Sequence, residues 1–202
     1  MQPYEIIMCP ADLYIAYEGE TVPAVDAVPG GNWVLLGSNG KRNQNTAGVK
    51  VVHSETLKFH STAGATGNVK AIRTSEDLAI ELVMEDLTLE TYAKAMNGMG
   101  VREVVAASTV AGYKSFGLRQ GFDVTTWALL IRLAGASPYG DGMNMQWAIP
   151  KAVENGAVTL VFDSEGNAAG IALKYMTLED PNASSDFERF GVVQAQTAYA
   201  LP

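Results

Sequence analysis

The chain has 202 residues, enough for one sizeable domain that buries a core without disulfides or metals. Apolar residues make up 48% of it and charged residues 18%, below the ~25% charged share usual for soluble domains, so self-association is one way to cover a surface short of charge. Net charge is −8, the pI is near 4.7, and no basic run is longer than Lys41-Arg42; the electrostatic footprint of a protein that grips phosphates is missing.

A single cysteine, Cys9, allows no internal disulfide and points to a reducing compartment. No apolar run approaches the ~18 residues of a membrane span. Met1-Gln2-Pro3-Tyr4-Glu5 lacks a basic segment followed by an apolar one, so synthesis in the cytoplasm is expected.

Residues 12–17 alternate as a strand, with Leu13, Ile15 and Tyr17 on one side. A loop over 19–31 leads to a short apolar strand at 32–36, ended by Gly37-Ser38-Asn39-Gly40, and 41–46 read as an exposed polar loop. Two long strands follow. The first shows Val49, Val51, Leu57 and Phe59 on one face; the second, after the turn at 64–67, shows Ile72, Leu78, Ile80, Leu82 and Met84. Period-2 alternation about a Gly-rich turn predicts a long antiparallel hairpin. Its distal half, near Glu55 and Glu76, loses the apolar face and is expected to project.

Thr88 as N-cap, Glu90 in the first turn and Gly98 after the last turn predict a helix. Its stripe is Leu89, Tyr92, Ala93 and Met96. Beyond it the sequence predicts strands at 101–106, 113–120, 122–134, 158–163 and 171–177, with a turn at 163–167. Leu129-Leu130-Ile131 is apolar on both faces, as in a central strand covered on two sides. Residues 135–142 and 179–186 read as loops, and the chain from about 187 as a flexible tail. The expectation is one mainly β domain over 1–202, an antiparallel β-sandwich or partly closed barrel with one flanking helix.

The chemistry-bearing residues are scattered. His53 and His60, seven apart on one strand, fall on opposite faces, and no Cys or His completes a zinc set. Gly37-Ser38-Asn39-Gly40-Lys41 fails the phosphate-loop pattern, with Leu35 where its first Gly belongs and Arg42 where Ser or Thr belongs. The carboxylate pairs Glu18/Glu20, Glu85/Asp86 and Glu179/Asp180 lie in or beside loops, without the burial that acid–base work needs. Ser108-Thr109 and Ser137 have no GxSxG context. No catalytic, cofactor-binding or metal-binding residue is expected, and no cofactor.

Several segments in order carry a likeness: Leu13-Tyr14-Ile15-Ala16, Asn32-Trp33-Val34-Leu35-Leu36-Gly37, the polar loop after Asn39-Gly40, Thr66-Gly67-Asn68-Val69-Lys70-Ala71, Arg73-Thr74-Ser75-Glu76-Asp77-Leu78, Leu87-Thr88-Leu89-Glu90 with its helix, and Arg189-Phe190-Gly191-Val192-Val193-Gln194-Ala195. Together they resemble the major tail protein of long-tailed bacteriophages, most strongly over 12–98. Further on, the likeness rests on strand rhythm and a turn at Ala148-Ile149-Pro150-Lys151-Ala152. The resemblance implies a structural virion protein, a homohexameric ring stacked into a tail tube through which DNA passes without specific binding. It also implies partners such as the tape measure and tail terminator proteins, a location in the virion tail after synthesis in the host cytoplasm, and no membrane. Assembly contacts are expected at Lys41, Arg42 and Asn43 and at the hairpin tip, Gly64, Thr66 and Asn68. Other readings are a different self-assembling tail, decoration or secretion-tube component, a β-sandwich module with a ligand groove near its Trp-bearing strands, and an enzyme of unrecognised type.

Overall fold

The computed structural model describes residues 5–37, 44, 47–64, 66–85, 87–98, 100–160 and 170–199. In chain order the elements are β1 (Asp12–Tyr17), β2 (Val34–Leu35), β3 (Lys50–His60), β4 (Lys70–Met84), α1 (Leu89–Ala95), β5 (Arg102–Val104), β6 (Tyr113–Ser115), β7 (Thr126–Leu133), β8 (Ala136–Ser137), β9 (Gly140–Asp141), β10 (Met145–Glu154), β11 (Ile171–Thr177) and β12 (Val192–Ala195). The chain is mainly β, as its alternating pattern predicts.

Alternation sorts one face of each strand inward, and every pairing is antiparallel. The main sheet runs β2-β1-β7-β10-β11-β4-β3, with β12 also on β10. Leu13 and Ile15, Leu129 and Ile131, Ile149, Leu173 and Tyr175, and Leu78, Ile80 and Leu82 form one cluster along the inner face. Strands far apart in the sheet order thus meet in one core, so the sheet curls around it without closing, and β2 and β3 end the path. Ala95 of α1 belongs to this core and Tyr92 packs against it. Thr88 caps the helix by accepting from the Thr91 N–H. The buried residues are Thr91, Ala93 and Ala95; of the expected stripe Ala93 is buried, while Leu89, Tyr92 and Met96 are only half-buried, because small side chains let so short a helix lie close to the sheet.

The outer face of β1, β7 and β10 is covered as well. Ala16, Ala128, Leu130 and Ala148 cluster with Trp33, and Val22 packs on them. The 18–33 segment therefore lies as a strap across the sheet, and β7, apolar on both faces, is buried along nearly its whole length. Burying a Leu side chain contributes roughly 1.5–3 kcal/mol, so both faces of β7 add to its anchoring.

Four expectations are corrected. Residues 145–154, where no strand was expected and 148–152 suggested a turn, form β10 at the centre of the sheet. The misleading residue is Pro150, which cannot donate to a ladder; the chain accommodates it in a register shift between Ile149 and Ala152. Second, the tail from about 187 does not hang free: Val192–Ala195 pairs with β10, Val193 opposite Trp147. Third, residues 135–142 fold into the small hairpin β8–β9, with Ser137 buried and its Oγ donating to the Gln196 carbonyl at 2.7 Å. Fourth, four strands come out shorter than their patterns: Val34–Leu35, Arg102–Val104, Tyr113–Ser115 and Thr126–Leu133. Residues 158–160 are outside any strand; the rest of that expected strand and the turn at 163–167 lie outside the described residues.

Candidate assembly surface

The hairpin of β3 and β4 leaves the body where its burial ends. Val51 packs against the core and Leu78 lies within it, but every described residue from 52 to 77 is exposed. The nine residues of β3 beyond Val51 extend about 30 Å at ~3.3 Å per residue. Thr56 pairs Ser75 and Leu57 pairs Arg73, so Thr74 is an extra residue, and its hydroxyl donates to the Thr56 carbonyl at 3.1 Å. A one-residue bulge reverses the faces beyond it. Ile72, expected on the core side with Leu78, is consequently on the opposite face beside Lys58, and Arg73 takes the core-side position beside Leu57. Arg73 is held there by Glu55 at 2.6 Å and Glu76 at 3.2 Å. Hydrogen bonding to Glu55 is the main cause that raises its guanidinium pKa.

Beyond the bulge the hairpin exposes Leu57, Phe59, Val69 and Ile72, with Phe59 at 59%. The Val69 N–H donates to the His60 carbonyl at 2.8 Å and closes the stem. Gly64, Thr66 and Asn68 lie in the exposed turn, whereas Lys41, Arg42 and Asn43 lie outside the described residues. Of the loop they belong to, Gln44 bridges Met84 and donates from Nε2 to the Ala11 carbonyl at 3.4 Å. His53 pairs Leu78 and His60 pairs Lys70, at opposite ends of the projecting stretch. Among the described residues no three His, Cys, Asp or Glu side chains are grouped to hold a metal.

A second exposed element was not singled out in the sequence. The ribbon of β5 and β6 and the segment up to β7 expose Val105, Val110, Tyr113, Leu118, Phe122 and Val124, with Phe122 at 95%. It is fastened to the end of α1 by Asn97, whose φ of 63° is left-handed. Asn97 Nδ2 donates to the carbonyls of Gln120 and Asp123, at 3.0 and 2.7 Å, and its Oδ1 accepts the Thr125 N–H at 2.6 Å. Lys114 reaches Glu90 at 2.7 Å, and Phe116 meets Tyr92 edge-on with ring centroids 5.2 Å apart. The Asn97-Gly98 pair, a helix stop by pattern, was the available signal for this attachment.

Two clefts border these elements. One of ≈ 500 Å3 lies between the hairpin, at Arg73 to Glu76, and the segment carrying Glu179, Asp186, Phe187, Arg189 and Phe190. The other, of ≈ 370 Å3, is lined by Tyr17, Val34, Ala93, Gly98 and Trp127 with Glu90 and Lys94. In it Tyr17 stacks on Trp127, centroids 5.0 Å apart. Away from the clefts, Glu18 accepts from Lys151 at 2.8 Å and from the Thr126 hydroxyl at 2.5 Å, and these bonds lower its pKa. Burial raises the pKa of Glu154, offset in part by the Gly156 N–H it accepts at 2.8 Å.

Comparison with protein-family models and with curated proteins finds no match to this chain. No helix among the described residues is long and apolar enough to cross a membrane.

Proposed function

We propose that this chain is a structural subunit of a virion tail, six copies forming a ring and rings stacking into a tube through which DNA passes. The observation that carries the reading is the placement of exposed apolar side chains. Leu57, Phe59, Val69 and Ile72 on the hairpin, and Val105, Tyr113, Leu118 and Phe122 on the ribbon, sit on two extensions of a well-packed body. Such side chains favour burial against another protein surface. The resemblance of residues 12–98 supplies the kind of assembly. Tube stacking is a head-to-tail contact that does not close, so it yields filaments. The acidic charge of −8 suits a channel that lets DNA slide, and tape measure and tail terminator proteins would meet the tube at its ends.

Negative-stain electron microscopy of the purified chain over a concentration series tests this. Rings or tubes with a central channel are expected; closed compact particles without a channel would remove the tube. The Tyr17–Trp127 cleft favours a second reading, a ligand-binding module with an aromatic-lined groove. That reading predicts a stable monomer whose tryptophan fluorescence responds to a ligand, and tube growth would count against it.

A further inference from the structure

The distal hairpin differs in charge from the rest of the molecule. Of the 14 Lys and Arg residues, Lys58, Lys70 and Arg73 fall within residues 56–75, and none of the 22 Asp and Glu residues does. This stretch carries +3, and the remainder −11 against −8 overall. Lys58 and Lys70 are exposed, among the exposed Leu57, Phe59, Val69 and Ile72. The opposite combination lies beside the hairpin on the body. Residues 179–189 contain Glu179, Asp180, Asp186 and Glu188 against Arg189 alone, with Phe187 at 98% exposure. Arg189 is occupied within the segment by Glu179 at 3.1 Å and Asp186 at 2.8 Å. The segment forms one wall of the ≈ 500 Å3 cleft.

We infer that the basic, apolar hairpin tip of one copy seats against the acidic segment 179–189, beside Phe187, of a second copy. Lys58 and Lys70 then meet the carboxylates of Glu179 and Asp186, and Ile72, which shares their face of the hairpin, covers Phe187, which neither chain buries alone. Lys58, Lys70 and Ile72 lie outside the cleft lining and apart from residues 179–189, so the contact can repeat from copy to copy. Opposite charges across an interface set association rate and partner choice, and at physiological salt they act within about 8 Å. The contact is therefore salt-labile. The inference needs self-association but not the tube.

Light scattering on the full chain at 50 and 500 mM NaCl tests it, with circular dichroism to show that variants fold. Wild type should associate more weakly at high salt. The double reversal Lys58→Glu with Lys70→Glu, and separately Glu179→Lys with Asp186→Lys, should each weaken association at least about tenfold, and the four changes combined should restore it. Association insensitive to salt, a monomer under both conditions, or failure of the combined variant to recover would overturn the inference. Tubes from the Lys58→Glu, Lys70→Glu variant would overturn this contact while leaving the tube; charge-swap recovery in particles without a channel would do the reverse.

Discussion

The guanidinium of Arg132, buried on the outer face of β7, is gripped by the carbonyls of Val25 and Ala27 at 2.8 and 2.9 Å, of Ala24 at 3.1 Å, and by Gln146 Oε1 at 2.5 Å. Burial lowers its pKa, with Tyr14 and Asp26 opposing. Gln146 extends the network, its Nε2 donating to the Pro23 carbonyl at 3.0 Å and to Gln194 Oε1 at 2.6 Å. The planar fork holds three carbonyls of the strap at once, which a lysine ammonium on a flexible stem does not reproduce. Arg132→Lys is expected to cost about 2 kcal/mol in urea unfolding and to quicken proteolysis within residues 18–33. Glu18 supplies a pH dependence. Its folded pKa is depressed, so its contribution is present above the unfolded carboxylate pKa and lost as pH falls through the folded one. Because the pair is partly exposed, Glu18→Gln should lower stability by only about 0.5 kcal/mol at pH 7. That difference should shrink toward zero in melts below pH 4.

At the scale of elements, Gly191 decides whether β12 can lie on the sheet. Its φ is 121°, and a Cβ there would stand 2.2 Å from the Ala148 carbonyl oxygen and 3.0 Å from the Ile149 Cα. Gly191→Ala should therefore destabilise by at least ~2 kcal/mol and expose the amides of Val192–Ala195 to hydrogen exchange; unchanged protection would show that β12 contributes little. The hairpin predicts the opposite behaviour. Replacing residues 57–72 by a two-residue turn removes no core side chain, so the midpoint of thermal unfolding should move by only a few degrees while assembly is lost. The same comparison explains what was legible in the sequence. β11 and the stretch of β4 from Leu78 to Met84 follow alternation, and α1 carries its own stop and start signals, so local pattern was enough there. β10 was illegible because Pro150 reads as a break, and a bulge that tolerates it depends on partner strands distant in sequence. The face of Ile72 was misassigned for a similar reason, since a bulge at Thr74 leaves no mark on composition. Of the candidate surface, the exposed hairpin turn at Gly64, Thr66 and Asn68 was readable as a turn from its glycines. The ribbon ending at Phe122 was not, because exposed and buried aromatic residues look alike in one sequence.

For the molecule as a whole, a firmly packed body carries two apolar extensions, and its charge is divided between a basic tip and an acidic remainder. Two such patches on one chain favour repeating contacts between copies. The central claim is that these contacts build an open-ended assembly. Sedimentation velocity across a concentration series at low salt tests it most directly. The account predicts a mass that rises through a ring-sized species and continues to grow with concentration. A single species fixed at monomer or dimer mass over the whole series would contradict it.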